Sequence, residues 1–231
     1  MFLLRVAGIS SLSVRGVRQF SSIVSRHSQT LSNVHPLPIM RHFSPLKTMS
    51  KTALIIATDG SEDIELTITS DVLRRANVNV TIAGLQDKDQ ITLSRQISLN
   101  VDKHFKDVVG QDFDAVILPG GPGSKNLAED KRVGEILKRH EKNGKIIAAI
   151  CAAPTALKSH GIAPGISMTA YPSVADEIKN GGYKFLEKNV VVDSNVVTSR
   201  GPGTAFDFAL KIVELLAGDE VSSKVRSSLL C

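Results

Sequence analysis

Short, continuous apolar runs alternate along the chain with segments in which apolar residues recur about every four positions. The runs are typical of strands buried on both faces, and the four-residue spacing is typical of helices that bury one face. Alternation of this kind predicts an α/β fold with a mainly parallel sheet covered on both faces. The predicted strands are residues 53–57, 78–83, 115–118, 146–150, 167–170, 189–192 and 195–198, and 91–101 is predicted to be extended. The predicted helices are 62–76, 133–141, 174–180 and 204–217.

The first predicted helix carries a candidate proton-transfer residue. Ile64, Ile68, Val72 and Ala76 recur every four residues and predict its buried stripe. Glu65 borders this stripe, so its carboxyl group is expected to be partly desolvated, with a raised pKa suited to giving or taking a proton. An ordinary first-turn acid that complements the helix dipole is the alternative for the same residue.

A cysteine stands where the apolar run 146–150 ends and a helix-compatible segment, 152–157, begins. Pro154 falls in the predicted first turn of that helix, where its missing N–H costs little. A thiol at such a strand-to-helix corner meets unpaired N–H groups and the positive end of the helix dipole, which favour the thiolate. Cys151 is therefore a candidate nucleophile, and a buried cysteine that acts as a small apolar residue is the alternative.

Glycines follow the third buried strand at the motif Pro119-Gly120-Gly121. The N–H groups of Gly120 and Gly121, together with that of Ala152, are candidates for stabilising an oxyanion, although glycines in such turns also serve geometry alone. Ligands of open α/β sheets bind outside the carboxyl ends of the strands, where these residues are predicted to lie. The segment 199–204 is predicted to form a pocket wall or a tight turn, and it lacks the Gly-Lys-Ser/Thr ending of a phosphate-binding loop.

Histidines offer little support for a cysteine–histidine hydrolase. His104, His140 and His160 follow the first fifty residues, and none of them lies at a predicted strand end, so structural roles are expected. A hydrolase in which His160 assists the cysteine remains an alternative. The sequence has no clustered Cys/His spacing for zinc, and no metal or cofactor is predicted.

The first fifty residues contain no Asp or Glu and carry six Arg or Lys, many serines and scattered apolar residues. This composition predicts a disordered mitochondrial presequence over residues 1–49, followed by an α/β domain over 50–231, and Met49 is a candidate second start that would give a cytosolic form. A secretory signal is disfavoured because Arg15 and Arg18 interrupt any apolar core.

The basic charge of the chain belongs to that leader. Removing its six basic residues leaves 22 against 23 acids, so the net charge changes from +5 to −1. A domain of that charge lacks the excess of positive charge that is expected of a nucleic-acid-binding protein. No apolar run reaches the roughly 18 residues that span a membrane, and the two cysteines do not suggest a disulfide framework.

Several long motifs, in the same order, resemble the ThiJ/PfpI superfamily, in particular its branch of parkinsonism-associated protein deglycases and glutathione-independent glyoxalases. The resemblance covers residues 51 to about 229. Its motifs are Ser61-Glu62-Asp63-Ile64-Glu65, Asp71-Val72-Leu73-Arg74-Arg75-Ala76, Val116-Ile117-Leu118-Pro119-Gly120-Gly121, Ala148-Ala149-Ile150-Cys151-Ala152-Ala153-Pro154-Thr155 and Thr198-Ser199-Arg200-Gly201-Pro202-Gly203-Thr204.

This resemblance implies a flavodoxin-like three-layer sandwich that forms a homodimer and uses no cofactor. It implies that Cys151 is the reactive thiolate and that Glu65 is hydrogen-bonded to it. The implied backbone donors are Gly120, Gly121 and Ala152, and the arginines implied near the dimer interface and the mouth of the active site are Arg75 and Arg95.

The implied activities are conversion of methylglyoxal to lactate and removal of early glycation adducts from protein side chains, in defence against oxidative stress. A non-enzymatic redox sensor and chaperone, working by oxidation of Cys151 to the sulfinate, is the alternative. The chain has Tyr171 where many relatives carry a histidine. A histidine at this position therefore cannot assist, and Glu65 is the expected proton-transfer group. It has Ala152 where protease-like members have histidine, which argues against a peptidase.

Overall fold

The apolar runs form one seven-stranded sheet in the computed structural model, which describes residues 50–231. The predicted presequence and the second start at Met49 lie outside the described residues. The strands are β1 (Thr52–Ala57), β2 (Asn79–Gly84), β3 (Gln90–Thr92), β4 (Ser98–Asn100), β5 (Lys103–His104), β6 (Ala115–Leu118), β7 (Ile146–Ile150), β8 (Ser167–Met168), β9 (Lys184–Phe185), β10 (Val190–Asp193) and β11 (Val196–Ser199). The helices are α1 (Asp63–Arg75), α2 (Phe105–Val108), α3 (Ser124–Glu129), α4 (Lys131–Lys142), α5 (Pro154–His160), α6 (Ala175–Asn180), α7 (Ala205–Ala217) and α8 (Asp219–Ser228).

The strand order of the large sheet is β10-β11-β7-β6-β1-β2-β5. Every neighbouring pair is parallel except β10 with β11. The chain leaves β1 towards β2 first and returns to the other side of β1 with β6. This reversal opens a crevice between the carboxyl ends of β1 and β6, which is where ligands bind in sheets of this kind.

Helices cover both faces of the sheet, because the central strands are apolar on both sides. In β1, Ala53 and Ile55 pack into a core with side chains of α1, α7 and α8, such as Phe208. Leu54 and Ile56 point the other way, into a second core with side chains of α3, α4 and α5. The predicted three-layer α/β sandwich with a mainly parallel sheet is therefore confirmed.

The predicted buried stripe of α1 is wrong at its start, where Ile64 is 45% exposed. The buried residues of this helix include Leu66, Val72 and Leu73. Because an α-helix turns about 100° per residue, a strict four-residue spacing drifts by about 40° at each step. Ile64 consequently lies about 120° around the helix from Ala76, outside the face that packs on the sheet.

Other differences concern short elements. The segment 91–101, predicted to be extended, forms the antiparallel hairpin of β3 and β4 instead of one continuous strand. The short helices α2 and α3 and the final helix α8 lack a clear apolar period and were not predicted from the pattern. Within residues 50–231, the structure contains no helix long and apolar enough to cross a bilayer.

Candidate active site

Cys151 lies at a sharp corner immediately after β7. Its φ angle is +65°, in the left-handed region that non-glycine residues rarely adopt. Its N–H donates to Ser199 O at 2.9 Å, and its carbonyl accepts from the Tyr171 N–H at 2.7 Å. Such a backbone costs on the order of 1–3 kcal/mol and persists only where neighbouring contacts enforce it. The corner thus holds the side chain, which is 8% exposed, in one fixed position.

The glycine loop after β6 lets the backbone approach this corner closely. A Cβ atom on Gly120 would lie 2.5 Å from Cys151 Cβ and 2.8 Å from Glu65 Oε2. Gly121 has a φ angle of +84°, and its Cβ would lie 2.5 Å from Gly60 O. Because real side chains do not tolerate such distances, both positions require glycine. Cysteine and carboxylate therefore flank the same glycine.

Glu65 is 1% exposed in the first turn of α1. Its Oε2 accepts a hydrogen bond of 2.8 Å from the Gly120 N–H, while Oε1 has no conventional partner among residues 50–231. Burial raises the pKa of Glu65 to about 7, against the opposing effects of the Gly120 N–H and the neighbouring Cys151 thiol. A carboxyl group that titrates near neutral pH can both give and take a proton there.

The thiol has a less favourable environment for ionisation than the sequence predicts. The N–H groups of Gly121 and Ala152 face the sulfur and lower its pKa, as expected. Burial and the negative charge of Glu65 outweigh them and raise the pKa of Cys151 to about 12. An ionised Glu65 therefore disfavours the thiolate at Cys151. A proton on Glu65 removes the repulsive charge and offers the sulfur a hydrogen-bond donor, so the two groups act as one unit.

Two of the three N–H groups that are predicted to stabilise an oxyanion face the sulfur in the structure. Gly120 uses its N–H to hold Glu65, so it positions the carboxylate instead of offering a free donor. The N–H groups of Gly121 and Ala152 have no backbone partner within residues 50–231 and are directed at Sγ. An oxyanion formed on a carbon bonded to the sulfur would meet these two donors.

The two predicted arginines are both exposed and do not contact the cysteine. Arg75 pairs with Asp71 at 2.7 Å near the end of α1, ten residues or about 15 Å along the helix from Glu65. Arg95 follows β3, and its N–H donates to Asp63 Oδ2 at 2.8 Å, close to the first turn of α1. The structure therefore separates them: Arg95 borders the site through its backbone, and Arg75 lies away from it.

Each described histidine has a structural role, as the sequence predicts. His140 is buried, and its ring contacts the Phe113 N–H at 3.3 Å and Ile136 O at 2.8 Å. His160 contacts Leu127 O at 2.9 Å, and His104 contacts Asp89 at 2.8 Å. Residues 50–231 also contain no group of three His, Cys, Asp or Glu placed to hold a metal ion.

Glu62, the first residue of the predicted helix 62–76, is a site residue that the sequence pattern does not single out. Its carboxylate accepts from the Glu65 N–H at 2.8 Å, and its own N–H donates to Gly120 O at 3.0 Å. It thereby ties the start of α1 to the glycine loop. The sequence predicts a helix start at Glu62, but it does not predict the hydrogen bond to a loop 58 residues away.

This fold and site define a class: a flavodoxin-like α/β sandwich with a buried cysteine and glutamate at the carboxyl ends of its central strands. The DJ-1/PfpI family matches residues 51–215. The chain therefore belongs to the DJ-1/PfpI family.

Individual relatives agree with this assignment. The chain is 47% identical over 183 residues to "Protein dj-1beta" of Drosophila melanogaster, covering 79% of this chain and 98% of that one. It is 44% identical over 176 residues to "Glutathione-independent glyoxalase DJR-1.2" of Caenorhabditis elegans, covering 76% of this chain and 94% of the relative. The crystal structure of Drosophila melanogaster DJ-1beta superposes with a TM-score of 0.77, over 79% of this chain and 98% of that structure.

Proposed function

We propose that the protein is a glutathione-independent, cofactor-independent glyoxalase and protein deglycase that acts on methylglyoxal and early glycation adducts in oxidative-stress defence. One observation carries the proposal: a buried carboxyl group whose pKa is about 7 lies beside a thiol held at a strained corner. A relative that is 44% identical bears the name of a glutathione-independent glyoxalase, which supports the same activity.

The first step joins the sulfur to the aldehyde carbon of methylglyoxal. Glu65 takes the thiol proton as the C–S bond forms, and the carbonyl π electrons move to the oxygen. The N–H groups of Gly121 and Ala152 stabilise that oxyanion until Glu65 returns the proton to it. The product is a neutral hemithioacetal beside an ionised Glu65.

The second step is an isomerisation without net oxidation. Glu65 takes the proton from the carbon that bears the sulfur and delivers it to the neighbouring carbonyl carbon, through an enediol, while the hydroxyl proton of the first carbon passes to the oxygen of the second. The hemithioacetal thus becomes a thioester of a hydroxyacid. Water then cleaves the thioester, releasing lactate and regenerating the Cys151 thiol. In the corresponding deglycation, the Cys151 sulfur attacks the adduct carbon of a protein hemithioacetal or aminocarbinol, and the side-chain thiol or amine leaves with the proton of the Cys151 thiol.

The test is lactate formation from methylglyoxal by the purified full-length protein, without glutathione. We expect Cys151→Ser to form no lactate and Glu65→Gln to lose about 10²- to 10⁴-fold in kcat, the usual contribution of a positioned acid–base group. Glu187→Gln, an exposed change of the same type, is the matched control. Unchanged turnover in Glu65→Gln would reject the proton-transfer role.

A second candidate function is a non-enzymatic redox sensor and chaperone. The two N–H groups facing Sγ favour it, and so does Oε1 of Glu65 when it carries a proton, because a sulfinate needs donors for its new oxygens. Peroxide oxidises the Cys151 sulfur in two steps, to the sulfenic and then the sulfinic acid, and each step releases water. Peroxide-dependent mass gain of two oxygens at Cys151, without any lactate formation, would favour this function over the enzyme.

Assembly and location belong to the same proposal. We infer that the protein acts as a homodimer, supported by the family resemblance and by exposed Ile64 on α1. Arg75 and Arg95 are exposed residues available to such an interface.

Import into mitochondria, with a cytosolic form starting at Met49, is inferred from the composition of the first fifty residues. Light scattering of the purified protein tests the homodimer. Cell fractionation tests the location, and a Met49→Leu variant should lack the cytosolic form.

A further inference from the structure

A cavity of about 270 Å³ opens between Tyr171 and the loop that follows β11. Its wall contains Asn189, Arg200 and Thr204, and it contains no aspartate or glutamate. Hydrogen bonds hold the loop in place: Thr204 Oγ1 lies 2.6 Å from Ser199 Oγ, and the Gly201 N–H donates to Thr204 Oγ1 at 3.1 Å. The recess thus has one arginine and no acid in its wall, and its loop is held by hydrogen bonds.

Gly201 lines this cavity and also lies close to the reactive sulfur. A Cβ atom on Gly201 would lie 3.9 Å from Cys151 Sγ and 3.2 Å from the ring of Tyr171. The same loop is bonded to the cysteine corner, because Ser199 O accepts the Cys151 N–H. A molecule bonded to the sulfur thus has the recess as its immediate neighbour on this side.

Arg200 differs from most arginines of the described chain. Arg74, Arg132, Arg139 and Arg226 each form an ion pair with a carboxylate. The side chain of Arg200 has no salt bridge or hydrogen bond within residues 50–231, although its backbone N–H donates to Asn189 O at 3.2 Å. A half-buried arginine without an anionic partner, in a recess without acids, suits a planar carboxylate of a ligand.

We propose that this recess is a subsite for a carboxylate, so that Cys151 reacts faster with short aldehydes that carry a carboxylate substituent than with uncharged aldehydes of the same size. The inference deepens the proposed function, since it names a substrate class for the same thiol. The chemical step is addition: the C–S bond forms, the carbonyl π electrons move to oxygen, and the thiol proton passes through Glu65 to that oxygen. Arg200 is a specificity-determining residue that binds the carboxylate and does not take part in proton transfer.

The test compares two electrophiles of nearly equal size, iodoacetate and iodoacetamide, on the full-length protein. Both transfer a two-carbon group to sulfur and release iodide, but only iodoacetate carries a carboxylate. The rate of alkylation is followed at the peptide containing Cys151 by mass spectrometry, which separates it from exposed Cys231. The measured quantity is the ratio of the iodoacetate rate to the iodoacetamide rate.

We expect Arg200→Gln to lower this ratio about tenfold, which corresponds to about 1.4 kcal/mol, while the iodoacetamide rate changes less than about twofold. Arg200→Lys, which keeps the charge but loses the planar fork, should give an intermediate ratio. Lys188→Gln, which removes one exposed positive charge next to the cavity wall, is the matched control and should leave the ratio unchanged.

An Arg200→Gln protein that folds, as judged by circular dichroism, and keeps the wild-type ratio would overturn the subsite. If that variant does not fold, a wild-type ratio in Arg200→Lys would overturn it instead. The measurement requires no turnover, so its failure is distinct from that of the proposed function. A tenfold fall in the ratio together with an absence of lactate would retain the subsite and reject the glyoxalase.

Discussion

Replacing Glu65 by glutamine should stabilise the folded protein, although it removes a residue we place in the chemistry. Glutamine keeps an oxygen that can accept the Gly120 N–H, which Glu65 Oε2 does now at 2.8 Å. It removes a carboxylate that is 1% exposed and whose repulsive neighbours include Glu62. The change therefore deletes a buried charge while retaining its main hydrogen bond.

The magnitude follows from the pKa shift. Burial raises the pKa of Glu65 from 4.5 to about 7, and each unit corresponds to about 1.36 kcal/mol. The folded state therefore binds this proton more tightly than the unfolded state does. The contribution of Glu65 to stability is highest below pH 4.5, where both states carry the proton, and it falls as the pH rises to 7. Above pH 7 the ionised carboxylate costs about 3 kcal/mol, which the neutral glutamine avoids.

The assay is urea unfolding of wild type and Glu65→Gln at intervals from pH 4.5 to 8. We expect the variant to gain stability relative to wild type as the pH rises, with a difference of up to about 3 kcal/mol at pH 8 and little difference at pH 4.5. Glu187→Gln, an exposed control, should stay within about 0.5 kcal/mol throughout. A constant difference between wild type and Glu65→Gln across this range would refute the reasoning.

Three further predictions follow from the site and the core. Glu65→Gln should accelerate iodoacetamide alkylation of Cys151 at pH 8, because the charge of Glu65 raises the thiol pKa; an unchanged rate would contradict this. Gly120→Ala should destabilise the protein by about 1–3 kcal/mol in urea unfolding, since its Cβ would lie 2.5 Å from Cys151 Cβ, whereas Gly110→Ala, which meets nothing within 4 Å, is the control. Phe208→Ala should cost about 3–5 kcal/mol in the same assay, because it empties a fully buried position, and a loss below 1 kcal/mol would show that the core collapses around it.

The central strands could be predicted closely because their signal is local. Residues 146–150 and 115–118 are continuous apolar runs in the sequence, as expected of strands buried on both faces. The observed strands β7 and β6 have those same bounds. The hairpin of β3 and β4 was not predicted, because its turn lies inside the segment 91–101, whose pattern indicates extended backbone throughout. Helix α8 was missed because its pattern is mostly polar and it is held by packing of Val225 against the core.

The sequence by itself determined the sheet, the corner that follows β7 and the meeting of Glu65, the glycine loop and Cys151 at one edge. Parallel strands place their carboxyl ends at the same edge of the sheet, however far apart they are in the sequence. Residues that follow such strands can therefore be predicted to lie near one another. Only the tertiary structure decided that the Gly120 N–H binds Glu65, that the thiol pKa is raised, and that Arg200 faces a recess without acids. These properties depend on burial and on distances of a few ångströms between segments separated by tens of residues, and a local pattern contains neither.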